Sequence, residues 1–148
     1  MTEALDLTNL LSVKLNGRLT NVSLNSGSCI SLIDADYACE LGVKAYALQP
    51  GDVVPLYAVD GIELDTRGKC TVALQHQQNK INHEFVLVKN NYTKCSLGGD
   101  FLDLNGASMD FGIGTVRIHG LGTLNFLRLA DIQGSEEIGA GVIATVSM

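Results

Sequence analysis

Four consecutive residues, Asn25, Ser26, Gly27 and Ser28, place a carboxamide, two hydroxyls and a glycine at the end of an apolar run. These side chains donate and accept hydrogen bonds, and a glycine lets another backbone approach closely, so the segment has the composition of a site. An ordinary hairpin turn also accounts for these residues, because Asn, Ser and Gly dominate turns. The surrounding elements must decide between the two interpretations.

Short strands are predicted on both sides of this segment. Asn16-Gly17 separates the apolar runs Leu10 to Leu15 and Leu19 to Leu24, which predicts a tight hairpin whose second strand ends at the segment. A further apolar run follows at Ile30 to Ile33. The segment therefore interrupts a strand pattern that resumes after it.

A short helix is predicted to follow. Asp34 can accept hydrogen bonds from the first helical turn, and Ile33, Tyr37 and Leu41 share one face. Gly42 suits the C-terminal stop, because glycine adopts the left-handed conformation at little cost.

The rest of the chain is predicted to be mainly antiparallel sheet. Val53 to Thr66 alternates apolar and polar residues around the turn dipeptide Asp60-Gly61, and another strand pair flanks the polar turn His76 to Lys80. Asp100 to Leu104 is expected to form one or two helical turns, and a last hairpin surrounds Gly112 to Gly114. Seven or more short strands with two minor helices predict an all-β barrel or sandwich.

Length and charge restrict the possible functions. The 148 residues suit one domain, and the net charge of -6 with only ten Lys and Arg argues against nucleic acid as a partner. No apolar run approaches the roughly 20 residues that span a bilayer, and the N-terminus has no basic region followed by an apolar one. Neither a membrane partner nor secretion is expected.

The cysteines and histidines lack the spacing of a metal site. The four cysteines form no CxxC pair, and the three histidines show no ligand spacing to them or to one another. We therefore expect reduced thiols in a cytoplasmic protein, with no metal and no cofactor. The residues are Cys29, Cys39, Cys70, Cys95, His76, His83 and His119.

In their order along the chain, these features resemble the retropepsins, the homodimeric aspartic proteases of retroviruses and LTR retrotransposons. The resemblance covers about residues 9–119 and rests on the loop Leu24 to Ser28, the glycine-tipped hairpin Ala58 to Leu64, and the segment Ser96 to Phe111. It implies an all-β, closed retropepsin-type (acid protease) barrel with one or two short helices. It also implies a flap hairpin over the substrate and a homodimeric assembly.

The chemistry that the resemblance implies needs two carboxylates. Such enzymes hold one water between a pair of aspartates that share a proton, so the pair supplies a base and an acid together. This chain has one loop of the required type and no Asp-Thr-Gly or Asp-Ser-Gly elsewhere. The second half of the site would therefore come from another copy across a twofold axis.

The resemblance also implies roles for the loop residues. Asn25 stands at the position of the catalytic acid, Ser26 would form a hydrogen bond across the dimer axis, and Gly27 would admit the substrate backbone. Ser28 would contact the catalytic side chain and substrate.

Four flap residues are expected to lie over bound substrate. They are Val59, Asp60, Gly61 and Ile62. A solvent-exposed hairpin turn is the simpler interpretation of the same residues when the dimer is left out of account.

The amide at Asn25 departs from the family pattern. It has nearly the shape of a carboxylate but cannot take a proton from water, so fold and dimer should survive while peptidase activity is lost. Two explanations stay open: a deliberate Asp to Asn change that stops self-cleavage, and a natural pseudoprotease that binds peptides or dimerises without catalysis. An unrelated small β-barrel is a third interpretation of the chain.

The composition changes after His119, where few turn-bounded strands and a Gly/Ser/Glu stretch from Gly134 to Gly141 predict an appended tail. Residues 1–119 would form the protease domain, and residues 120–148 a tail or linker toward the next domain of a Gag-Pol-like polyprotein. The substrate would be an extended peptide or polyprotein segment, and the expected location is the cytoplasm or a virus-like particle.

Overall fold

The computed structural model describes residues 7–52, 55–58 and 60–132. Within these ranges the chain has nine strands and three short helices, and no helix is long and apolar enough to cross a membrane. The strands are β1 Leu10–Leu15, β2 Arg18–Leu24, β3 Leu32–Asp34, β4 Thr66–His76, β5 Asn79–Val88, β6 Cys95–Leu97, β7 Ser108–Asp110, β8 Thr115–Ile118 and β9 Gly122–Asn125. The helices are α1 Ala35–Leu41, α2 Gly99–Leu104 and α3 Leu129–Ile132.

Six strands close into a barrel in the order β1-β2-β6-β3-β5-β4. The β1–β2 hairpin turns at Asn16 and Gly17, whose φ angles of 48° and 87° are those of a two-residue turn that matches the twist of the strands. The predicted all-β barrel with a few short helices is confirmed.

The helix predicted after Asp34 is present as α1. The Asp34 carboxylate accepts a hydrogen bond from the Tyr37 N–H at 3.2 Å, and Gly42 ends the helix in the left-handed region with φ 76°. Ile33 and Tyr37 are buried, so the shared apolar face packs inward as the pattern predicted.

The position of β6 determines the path of the chain between β2 and β3. β6 runs parallel to β2, with Leu24 opposite Leu97, and antiparallel to β3, with Leu32 opposite Ser96. The connection from β2 to β3 must therefore pass around the end of β6. Residues 25–30 of this connection are called the site loop below.

The barrel interior holds one large apolar cluster. Two of its members are thiols: burial raises the pKa of Cys70 to about 11 and also raises the pKa of Cys95. Cys29 and Cys39 are exposed, and all four cysteines are free. The largest buried side chains include Phe85, Phe101, Leu11, Leu15, Ile33 and Leu74.

A second, three-stranded sheet of order β7-β8-β9 follows the barrel. Residues beyond His119 contribute to it, because β9 pairs with β8 and Leu121, Leu124 and Phe126 are buried in the barrel's cluster. The packed part of the chain thus continues past the residue at which the tail was expected to begin. Residues 133–148 lie outside the described residues.

Candidate functional site

The site loop begins at a fixed point between two strands. The Asn25 N–H donates to the Leu97 carbonyl at 2.8 Å, and the Leu24 N–H donates to the Asn9 carbonyl at 2.8 Å. The first bond continues the parallel pairing of β2 with β6, and the second continues the antiparallel pairing of β2 with β1. The backbone of residue 25 is therefore held as part of the sheet, although its side chain is exposed.

The Asn25 side chain closes a small turn. Its Oδ1 accepts a hydrogen bond from the Gly27 N–H at 3.1 Å, and its carbonyl accepts from the Ser28 N–H at 3.2 Å. Only the oxygen of the side chain takes part in this turn, so an aspartate could accept the same bond. Ser26 and Gly27 are exposed beside it.

Ser28 is half-buried, and its hydroxyl donates to the Ile30 carbonyl at 2.9 Å. The hydroxyl proton is therefore used within the site loop, and the oxygen keeps lone pairs that can accept a further bond. The role of Ser28 toward substrate stays a prediction.

The residues after β6 form the floor beneath the site loop. The Gly99 N–H donates to the Ser28 carbonyl at 2.6 Å, and the Asp100 N–H donates to the Cys29 carbonyl at 3.1 Å. A Cβ placed on Gly98 would lie 2.6 Å from the Ile30 carbonyl oxygen and 2.9 Å from that of Ser28. Gly98 is therefore required for close packing of the site loop against the backbone after β6.

Three polar side chains that sequence reasoning did not bring together meet under this floor: Ser31, His83 and Asp100. In the sequence, His83 showed no ligand spacing and Asp100 stood at the start of a predicted helical segment. One signal was present, because His83 falls on the same alternation as the inward-facing Phe85 and Leu87.

The predicted turn at Asp60-Gly61 is present. Gly61 has φ 84° and donates to the Ala58 carbonyl at 2.9 Å, while the Asp60 carboxylate accepts from the Ile62 N–H at 3.0 Å. A bridge between Tyr57 and Glu63 closes the hairpin in place of the regular strand pair expected there. Val59 lies outside the described residues.

The structure does not join the flap hairpin to the site loop. In the described residues, no hydrogen bond connects Asn25 to Ser28 with Asp60 to Ile62, and Ile62 is 67% exposed. Each group is ordered by its own hydrogen bonds. In residues 7–52, 55–58 and 60–132 no cluster of three His, Cys, Asp or Glu side chains could hold a metal ion.

An ion pair joins the segment that precedes the flap hairpin to strand β4. Lys69 Nζ of β4 lies 3.2 Å from the Asp52 carboxylate and 3.9 Å from Glu84 of β5. A hydrogen bond from the Gln49 backbone N–H, and then Lys69, hold the pKa of Asp52 below its usual range. The pair therefore persists into mildly acidic conditions.

The stabilising effect of Asp52 is expected to depend on pH. Because its pKa is lowered in the folded chain, the effect is complete above the ordinary pKa of about 4 and is lost as the pH falls through the lower folded value. Urea denaturation from about pH 6 to about pH 2.5 should show Asp52→Asn losing less stability than the unchanged chain. Asp103→Asn, at an exposed position, is the matched control, and identical pH dependence of both variants would contradict this role.

The fold of this chain is similar to that of solved structures. The retroviral protease-like domain of Ddi1 from Leishmania major superimposes with a TM-score of 0.65 at 16% identity, over 84% of this chain and 93% of that one. EIAV protease, complexed with the inhibitor HBY-793, gives a TM-score of 0.56 at 20% identity, over 72% of this chain and 95% of that one. The chain has the retropepsin fold.

The retropepsin fold confirms the barrel architecture that the sequence resemblance implied. At these identities the likeness concerns the fold alone. No family model matches the chain, and no curated protein sequence matches it. The function must therefore be argued from the residues of the site loop and its floor.

Proposed function

We propose that this chain is one half of a retropepsin-type aspartic endopeptidase site. Two copies of the site loop would face each other across a twofold axis, with residue 25 of each copy supplying one member of the pair that activates water. Asn25 replaces the acid in this chain, so the assembled dimer binds substrate and has little or no peptidase activity.

One observation carries this proposal: residue 25 lies exposed at the end of β2, with its backbone fixed to Leu97 and its side-chain oxygen oriented by the Gly27 N–H. A side chain that accepts a backbone hydrogen bond at a rigid strand end is suited to a carboxylate that must be held in one position. The retropepsin fold supports the assignment.

Support for a second copy comes from the surface that follows α2. Among the described residues, β7 is at the edge of its sheet and all three of its residues are exposed, which is a surface where another chain could add a strand. Large apolar side chains are exposed on and beside it. They are Leu104, Met109, Phe111 and Ile113.

The proposed substrate is an extended segment of a Gag-Pol-like polyprotein from an LTR retrotransposon. Main-chain hydrogen bonds would hold it between the site loop and the flap hairpin. The similarity of Ser96 to Phe111 to retrotransposon proteases supports this origin, and the chain would then act in the cytoplasm or in virus-like particles. The linker toward a following domain would begin beyond α3, because the Leu127 N–H still donates to the Leu10 carbonyl and Leu129 packs against Leu10.

The second candidate is a natural pseudoprotease that binds peptides or dimerises without turnover. The amide itself favours it, because the side chain at residue 25 cannot take a proton from water. Finding Asn25 in the chromosomal copy, together with peptide affinity and no turnover, would select this candidate.

The proposal is tested with Asn25→Asp in the full chain. Sedimentation equilibrium should give a dimer for both proteins, and incubation with a diverse peptide library should give cleavage only with the variant. A variant that dimerises and cleaves no peptide would refute the peptidase assignment, and a chain that stays monomeric at high concentration would refute the shared site.

A further inference from the structure

We propose that His83 is a positioning residue for the site loop, acting through Asp100 and Ser31. The inference deepens the proposed function, since the loop it positions carries residue 25. The cluster has a geometry of its own, however, and can be tested without any catalytic activity.

The three side chains form a closed set of hydrogen bonds. The Ser31 hydroxyl lies 2.7 Å from Asp100 Oδ1, and His83 Nε2 lies 3.2 Å from Asp100 Oδ2 and 3.2 Å from Ser31 Oγ. Ser31 is fully buried and His83 is 6% exposed. Edge-to-face contacts with Phe85 and Phe101, at 5.3 Å and 5.0 Å between ring centroids, fix the imidazole plane.

The direction of each bond follows from the carboxylate. An ionised Asp100 only accepts, so the Ser31 hydroxyl must give its single proton to Oδ1 and His83 must carry a proton on Nε2. The Ser31 oxygen is then free to accept from the Gly98 N–H, which lies 3.0 Å away. His83 therefore acts as a donor that keeps Asp100 in position.

The backbone of the same residues holds the site loop. Gly99 and Asp100 donate their N–H groups to the carbonyls of Ser28 and Cys29. A rotation of the Asp100 side chain would break its bond with Ser31 and disturb the bond from the Gly98 N–H to Ser31. It would also disturb the backbone bonds from Gly99 and Asp100 to the site loop. The hydrogen bond from His83 thus helps to fix the position of the site loop relative to the end of β6.

A helix-capping role for Asp100 does not account for His83. Asp100 Oδ1 does accept from the Phe101 N–H at 2.8 Å, at the first turn of α2. That bond uses only Oδ1. The other oxygen, Oδ2, takes no part in it and lies 3.2 Å from His83 Nε2. A residue needed only to fill space between two phenylalanines would be apolar, whereas His83 places a polar donor there.

The inference is tested with His83→Gln and His83→Asn in the Asn25→Asp chain. The amide nitrogen of Gln can reach the position of His83 Nε2. The Asn side chain is one methylene shorter and cannot, so the two variants differ in whether a donor faces Asp100. We measure amide hydrogen exchange at Gly99 and Asp100, with Phe126, whose N–H donates to the Gly114 carbonyl, as an internal reference. The kcat and KM for a cleaved peptide are measured on the same proteins.

His83→Asn is expected to speed exchange at Gly99 and Asp100 roughly tenfold or more relative to Phe126, and to lower kcat by a similar factor with little change in KM. His83→Gln should restore both. Equal behaviour of the two variants, or slow exchange in His83→Asn, would overturn the inference. If the Asn25→Asp parent cleaves nothing, the proposed function fails, while the exchange measurement still decides the role of His83.

Discussion

Replacing Asn25 with aspartate is expected to raise kcat/KM for a cleavable peptide by at least about 10²-fold over the unchanged chain. The physical reason is that a carboxylate can remove a proton from water and a carboxamide cannot. The fold should not change, since the Gly27 N–H finds an oxygen in the same place. The measurement is the initial rate of peptide cleavage at matched dimer concentration.

The restored activity should have a bell-shaped dependence on pH. Two facing carboxylates cannot both ionise easily, so the active form is the one in which the pair holds a single proton. Rates should fall at low pH as the second proton binds and at high pH as the shared one leaves. Asn90→Asp, which adds the same charge at an exposed turn, should remain inactive, and a flat profile would contradict a shared proton.

The second large effect is expected at Gly98. Its φ of -101° and ψ of -169° are extended values that any residue adopts, so Gly98→Ala isolates the steric effect. The new Cβ would lie 2.6 Å from the Ile30 carbonyl oxygen, well inside contact distance. Because the nearest atoms are backbone atoms of Ser28 and Ile30, relief requires the site loop to move away from Gly98.

We expect Gly98→Ala to lower the free energy of unfolding by about 3 kcal/mol, near the upper end of overpacking costs. The melting temperature should fall by roughly 10 °C, and Gly98→Ala in the Asn25→Asp chain should abolish cleavage. Gly51→Ala is the matched control, since a Cβ there meets no atom within 4 Å. A Gly98→Ala protein as stable as this control would show that the loop and β6 are not in tight contact.

The local elements of this fold could be predicted from short-range chemistry. Asn16-Gly17, the Asp34 cap and the Gly42 stop each act within a few residues, and each lies where its pattern predicted. The backbone conformation they require is encoded in the residues themselves. The same holds for the turn at Asp60-Gly61, beside which the described residues form a bridge between Tyr57 and Glu63 and no regular strand.

Contacts between distant segments could not be predicted in this way. The order that places β6 between β2 and β3 is invisible to periodicity, and only the resemblance to the retropepsins implied such a barrel. The cluster beneath the site loop joins Ser31 to residues 52 and 69 positions away. Alternation could place His83 inside the barrel, but it could not identify Asp100 as its partner.

The strand β9 was missed for a different reason. Leu121, Leu124 and Phe126 are buried, but the four-residue strand lies where glycines and a change of composition suggested a tail. Its stability comes from packing on the barrel's cluster and pairing with β8, which are tertiary effects. Short strands of this kind have little local signal.

Mixing the two forms of the chain tests the central claim, a catalytic pair shared between two copies of residue 25. Asn25→Asp chains are combined with unchanged chains at constant total concentration, the subunits are allowed to exchange, and the cleavage rate is measured. If both carboxylates are needed, an equal mixture should retain about a quarter of the full activity, the fraction of dimers with two aspartates. Activity that falls only to about a half, in proportion to the Asp-containing chains, would contradict a shared site.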